Sequence, residues 1–96
     1  MLLARWTSAA GARGNFVFPS GGPVALVMEK ASNRGQAKIL VDGVLRTTID
    51  TYAATPRHRS VVWAARLTRV RHTVSVVNVG TPGRPRIDVD AVLVSQ

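Results

Sequence analysis

Apolar positions along this chain recur mainly at every second residue, the period that places side chains on one face of a strand. Phe16 and Phe18 flank Val17 ahead of a turn cluster, Pro19-Ser20-Gly21-Gly22-Pro23. A second apolar strand, VALVM, follows and is closed by EKASNRG. The stretch QAKILVDGVLRTTID reads as a hairpin, because Asp42-Gly43 between two β-rich runs is a strong turn signal in which Gly43 takes a positive φ. Two registers compete. A two-residue turn pairs Val41 with Val44 and Ile39 with Arg46. A three-residue loop from Val41 to Gly43 pairs Ile39 with Leu45 and Ala37 with Thr47, collecting Ile39, Leu45 and Ile49 on one face. A one-residue slip exchanges the two faces of a strand, so the cleaner apolar face makes the three-residue loop the expectation.

Residues 51–59 read as a turn region around TPRHR, and residues 60–65 as a strand with Val61 and Trp63 on one face. RLTRVR, residues 66–71, has no cap and only Leu67 and Val70 to bury, so a loop is expected there. Residues 72–79 alternate again and are apolar on both faces near their end, as in a central strand. GTPGRP is turn chemistry, and Ile87, Val89, Ala91 and Leu93 then line one face of a last strand. About seven short strands with Gly and Pro between them and no helix predict an all-β, antiparallel β-sandwich or barrel. The expected core is Ile39, Leu45, Ile49, Trp63, Val74, Val76, Val89 and Ala91.

Composition adds bounds. Ninety-six residues, 46% hydrophobic and 19% charged, suit one domain over residues 1–96, with residues 1–15 left unassigned. Without cysteine there is no disulfide or thiolate metal site. The apolar run at Leu2 is stopped by Arg5, so no signal peptide is expected, and no run is long enough for a membrane span. Thirteen Lys and Arg against five Asp and Glu give a net charge of +8, which favours polyanionic partners.

NRGQAKILVDGVLRTTIDTY, then RHRSVVWAARL, then HTVSVVNVGTPGRPRIDVDAVLV, resembles the C-terminal jelly-roll modules of galactose-binding-like or carbohydrate-binding type found on secreted and cell-surface bacterial proteins. The likeness covers residues 33–94 well and 16–30 loosely. It implies a jelly-roll sandwich and a non-catalytic binding habit toward glycans or cell-wall polymers, at the cell surface if the chain belongs to a larger secreted protein. Such modules carry one or two further strands before the position of Phe16. Only MLLARWTSAAGARG can supply them here, so the expectation is a sandwich truncated there or completed by something else. The family's aromatics near Leu26 and near Ala91-Val92 are absent.

Sugar recognition needs flat apolar faces and convergent polar groups. Trp6, Tyr52 and Trp63 are the ring candidates; Trp63, mid-strand, reads as core, Tyr52, beside a turn, as a ligand residue, and Trp6 is unplaced. The loops SNRG and GRPR bring Asn33, Arg34, Arg84 and Arg86 together if they share one end of the sandwich, and arginine grips diols, carboxylates or phosphates with paired hydrogen bonds. Asp88 and Asp90 share a strand face opposite Ile87 and Val89. Their expected role is ion pairing with Arg84 and Arg86, or acceptance of backbone N–H groups, not acid–base catalysis. His58 and His72 lack metal-ligand spacing, a calcium site at Asp88 or Asp90 has too few partners, and no triad is visible, so no cofactor and no enzymatic activity are expected. The partner expected is a glycan or anionic polysaccharide, then a protein partner or second copy. Nucleic acid ranks last, because base-stacking aromatics are few.

Overall fold

The structure, a computed structural model, describes the backbone of residues 2–94 and the side chains of residues 7–94. Eight strands follow one another: β1 (Leu2–Thr7), β2 (Arg13–Phe18), β3 (Gly22–Lys30), β4 (Gln36–Val41), β5 (Val44–Asp50), β6 (Arg57–Leu67), β7 (His72–Asn78) and β8 (Ile87–Val94). They form two four-stranded sheets, β1-β8-β3-β6 and β2-β7-β4-β5, with every named strand pair antiparallel. Consecutive strands alternate between the sheets except at the β4–β5 hairpin, which is jelly-roll connectivity. The described residues contain no helix.

The expected truncation is corrected: one further strand precedes the one that carries Phe16. Residues 2–7 supply β1, which pairs with β8 through Thr7 and Ile87, and β2 begins at Arg13. The sequence pattern showed β2 only at Phe16 and Phe18 and hid β1, because LLARWT and the SAAGA that follows it have no alternation. A buried side chain, Asn78, secures this corner. Its Nδ2 donates to the carbonyls of Thr7 (3.3 Å) and Pro85 (2.7 Å), and its Oδ1 accepts from the Gly80 N–H at 2.9 Å.

Between the sheets lie Phe16, Phe18, Leu26, Met28, Ile39, Val41, Leu67, Val74, Val76, Ile87, Val89 and Val92. Of the expected core, Ile39, Val74, Val76, Val89 and Ala91 are buried, while Ile49 and Trp63 pack against the cluster only partly covered. Leu45 is 54% exposed, which corrects its assignment to the core.

The hairpin register explains that correction. Asp42 (φ 52°) and Gly43 (φ 81°) form a two-residue turn with both residues left-handed, the type I′ geometry that matches strand twist. Val41 pairs with Val44 and Leu40 with Leu45, after which a bulge expels Arg46 so that Ile39 faces Thr47 and Ala37 faces Ile49. The bulge removes the Ile39–Arg46 pairing that counted against the short turn. Irregularities of the same kind, at Val62 in β6 and Asp90 in β8, reset those strands. Val61 is consequently exposed while Val62 and Trp63 both approach the core, and Val92 is buried while Leu93 is exposed. Neither pair follows the simple alternation read from the sequence. β6 also extends beyond the expected residues 60–65 at both ends, and β7 is central between β2 and β4 as expected.

Candidate functional site

Three loops converge at one end of the sandwich: β3–β4, β5–β6 and β7–β8. Isolated bridges join Ala31 to Tyr52 and Arg34 to Arg86. Thr51, fully buried, donates its N–H (3.0 Å) and its hydroxyl (2.6 Å) to the Gly35 carbonyl, and the Gly35 N–H donates to the Arg86 carbonyl at 2.9 Å. Gly35 is required by close approach: a Cβ there would stand 2.0 Å from the Arg84 carbonyl oxygen. Backbone pairing therefore holds the three loops edge to edge.

Asn33, Arg34, Tyr52, Arg84 and Arg86, the five candidate ligand residues, all lie in this cluster. Asp88 receives two guanidinium groups. Arg34 donates Nε and NH2 at 3.1 and 3.3 Å, and Arg86 donates Nε and NH2 at 2.8 and 3.0 Å. The Arg34 and Asp88 side chains are each only 15% exposed. Arg34 also donates to the Asn33 amide oxygen. Arg84 pairs with Asp50 (2.9 Å), donates to the Arg34 carbonyl (2.8 Å) and lies over the Tyr52 ring, 5.2 Å from its centroid. The hydrogen bond from Arg84 holds the Asp50 carboxyl below its ordinary range, with the Tyr52 N–H adding a further donor at 2.9 Å.

Asp88 thus pairs with Arg86 as expected, but its second partner is Arg34, and Arg84 is held by Asp50 rather than by the carboxylates behind it. Sequence spacing could not show this, since Asp50 and Arg34 come from distant loops. Asp90 behaves differently from Asp88. Its Oδ2 is buried with no hydrogen-bond partner, and burial, reinforced by the nearby Glu29 charge, pushes its carboxyl up; the Arg59 N–H opposes this. The stretch GRPRIDVDAVLV is therefore a strand end whose first carboxylate locks two arginines and whose second is tucked against the sheet.

Tyr52 is 49% exposed. Beside it opens a hollow of about 510 Å³, lined by Lys30, Tyr52, Ala53, Ala54, Thr55, Arg57 and Ser60. Lys30, Arg57 and Ser60, which line this hollow, were not among the candidate residues. The signal was the Lys30–Arg57 pairing of β3 with β6, which depends on a strand start hidden in the turn-like TPRHR. Trp63 packs toward the core, and the Trp6 side chain lies outside the described residues, although its backbone pairs with Asp88.

No family model matches the chain, and no curated protein matches it. Among solved structures, it is similar to a cycloisomaltooligosaccharide glucanotransferase from Paenibacillus sp., complexed with cycloisomaltoheptaose, with a TM-score of 0.62 and 18% identity over 91% of this chain. It spans only 13% of that protein. It is also similar to the CBM36-1 domain of a multidomain xylanase from the hindgut metagenome of Trinervitermes trinervoides, with a TM-score of 0.56 and 11% identity, covering 95% of this chain and 76% of that one. At these identities the likeness is one of fold: the chain is a β-sandwich of the kind seen in carbohydrate-binding modules.

Proposed function

We propose that the protein is a non-catalytic carbohydrate-binding or accessory module, with the Tyr52 hollow as its ligand face. The observation that carries this reading is the placement of Tyr52. Arg84 occupies one side of the ring and orients it, leaving the half-exposed phenol beside a hollow that also presents Lys30, Arg57, Thr55 and Ser60. An aromatic face for the C–H side of a pyranose, with hydroxyls and two cations beside it, suits a glycan bearing carboxylate or sulfate groups. Arg34, Arg84 and Arg86, spent on Asp88 and Asp50, then act mainly as the frame that fixes the loops, with Arg86 and Asn33 at the rim. Resemblance to a carbohydrate-binding module supports the general class.

A second reading, a structural or protein-interaction module, is favoured by the same internal pairing of the arginines. A glycan array at about 150 mM salt, where exposed charges are screened beyond about 8 Å, separates the two. Binding of uronic or sulfated glycans that is lost on Tyr52→Ala and retained on Tyr52→Phe supports the glycan site, because only stacking distinguishes those variants. Silence across the array returns the structural reading. Binding insensitive to Tyr52 and lowered equally by any arginine removed reduces the interaction to charge alone.

A further inference from the structure

The opposite end of the sandwich carries a different surface. There the β2–β3 loop, the β4–β5 turn and the β6–β7 loop meet. His72, with only a tenth of its side chain exposed, joins two of them: its Nδ1 lies 2.6 Å from the Asp42 Oδ2 in the turn, and its Nε2 lies 2.8 Å from the Thr68 carbonyl oxygen. Asp42 also accepts from the Thr73 N–H at 2.9 Å. The third loop is tied in by the Gly21 N–H, which donates to the Val70 carbonyl at 3.0 Å. The three loops are therefore joined at one end by hydrogen bonds.

What that end presents is basic and apolar together. Arg46, Arg66, Arg69 and Arg71 are exposed and form no salt bridge with any described residue, and the nearby carboxylate, Asp42, is taken by His72 and Thr73. Among them, Val70 at the loop tip is 57% exposed, and Val17, Val44 and Leu45 on the adjoining strand ends are exposed as well. These four make up more than half of the exposed large hydrophobic residues among those described. Singly such residues would be ordinary, but apolar side chains gathered at one end and rimmed by cations are the mark of an interaction surface. A linear polyanion would use the arginines but leave the valines wet. An anionic bilayer satisfies both, since apolar tips enter the headgroup region while arginines contact lipid phosphates and carboxylates.

We propose that the Arg46–Arg66–Arg69–Arg71 end, with Val70 at its tip, is a docking surface for an anionic lipid bilayer. It lies at the far end of the sandwich from Tyr52, so the protein could hold a glycan and a membrane at once. The test is co-sedimentation of the full chain at about 100 mM salt with phosphatidylcholine vesicles and with vesicles containing about 30% phosphatidylserine. Binding is expected only to the anionic vesicles. Each of Arg69→Ala and Arg71→Ala should lower partitioning about fivefold, a loss of about 1 kcal/mol per residue. Val70→Asp should abolish binding, while Tyr52→Ala should leave it unchanged, which separates failure here from failure of the glycan reading. All four substitutions are at exposed positions, and a retained cooperative thermal melt confirms folding. Equal binding to both vesicles, no binding to either, or retention on heparin resin with no vesicle binding would each overturn the proposal. So would anionic-vesicle binding that survives Val70→Asp, which would leave a surface that recognises charge and not a bilayer.

Discussion

Asp88 and Asp90 stand two residues apart on β8, yet the structure gives them opposite weights. Asp88 accepts four hydrogen bonds from two arginines in a largely covered position, whereas a buried oxygen of Asp90 accepts none. Removing one partner of a covered ion pair leaves the others desolvated and uncompensated, so Asp88→Ala should cost about 2–3 kcal/mol in urea melts at neutral pH. Asp90→Asn should leave stability unchanged or raise it. The sign follows from its carboxyl being pushed up: burial disfavours the charged form, so folded wild-type protein loses stability as pH rises from about 3.8 through the folded value, and asparagine has nothing to lose. The advantage of the asparagine variant should therefore vanish near pH 3.5. An Asp90→Asn protein markedly less stable at pH 7 would mean that the hydrogen bond from the Arg59 N–H outweighs the cost of burying the charge. At this scale the sequence was legible in residue types and illegible in pairing. SNRG and GRPR do meet, with Tyr52 beside them, but Asp50 as the holder of Arg84 depends on which loops touch.

Among the elements, the β4–β5 turn and the β6–β7 loop depend on one histidine. The His72 ring meets the Asp42 carboxylate at Nδ1 and the carbonyl and hydroxyl oxygens of Thr68 at Nε2, and the imidazolium, which donates from both nitrogens, fits these partners. The hydrogen bond to Asp42 is the main cause of its raised pKa, with burial and, more weakly, Arg46 opposing; Asp42 in turn is lowered, chiefly by the Thr73 N–H and then by His72. For the histidine, the stabilisation is complete below its ordinary value near 6.5 and is lost as pH rises through the higher folded value. For the aspartate it is present above about 3.8 and lost as pH falls through the lower folded value. The staple is thus intact from about pH 4 to 6.5, and the melting temperature should fall as pH rises above 6.5, a dependence that His72→Asn should flatten. An unchanged slope in that variant would place the titration elsewhere. A second element-scale expectation concerns Gly35→Ala, where a methyl 2.0 Å from the Arg84 carbonyl forces the β3–β4 and β7–β8 loops apart. A loss of more than about 2 kcal/mol is expected, accompanied by loss of glycan binding. Strand existence and type were readable from alternation, but register was not. The bulges at Arg46, Val62 and Asp90 insert single residues that reverse every face beyond them, and nothing in local composition marks where they fall.

For the molecule as a whole, period-two alternation and turn chemistry were sufficient for a two-sheet sandwich, because a chain of 96 residues with no helical period can bury its strand faces in few other ways. The arrangement of charge was beyond that reading. Five acidic residues are all engaged by neighbours: Glu29 by His58, Asp42 by His72, Asp50 by Arg84, Asp88 by Arg34 and Arg86, and Asp90 by the Arg59 N–H. The remaining cations are spread over a body of 39 × 23 × 19 Å, so much of their mutual repulsion acts across distances comparable to the screening length. Two effects of salt then compete. Screening relieves repulsion among exposed arginines, and it also weakens the ion pairs that lock the loops. The second effect is the smaller, since Arg34 and Asp88 are largely covered and their pairing is hydrogen-bonded. Raising sodium chloride from about 20 to 300 mM should therefore raise the melting temperature at pH 7, where the Debye length falls from about 20 Å to about 6 Å. Replacing Arg69 and Arg71 by alanine should shrink that salt effect, because both are exposed, close to each other and to Arg66 in sequence, and form no ion pair with a described residue. A melting temperature that falls with salt would show the loop-locking pairs, and not the repulsion, to be the dominant electrostatic contribution to the fold.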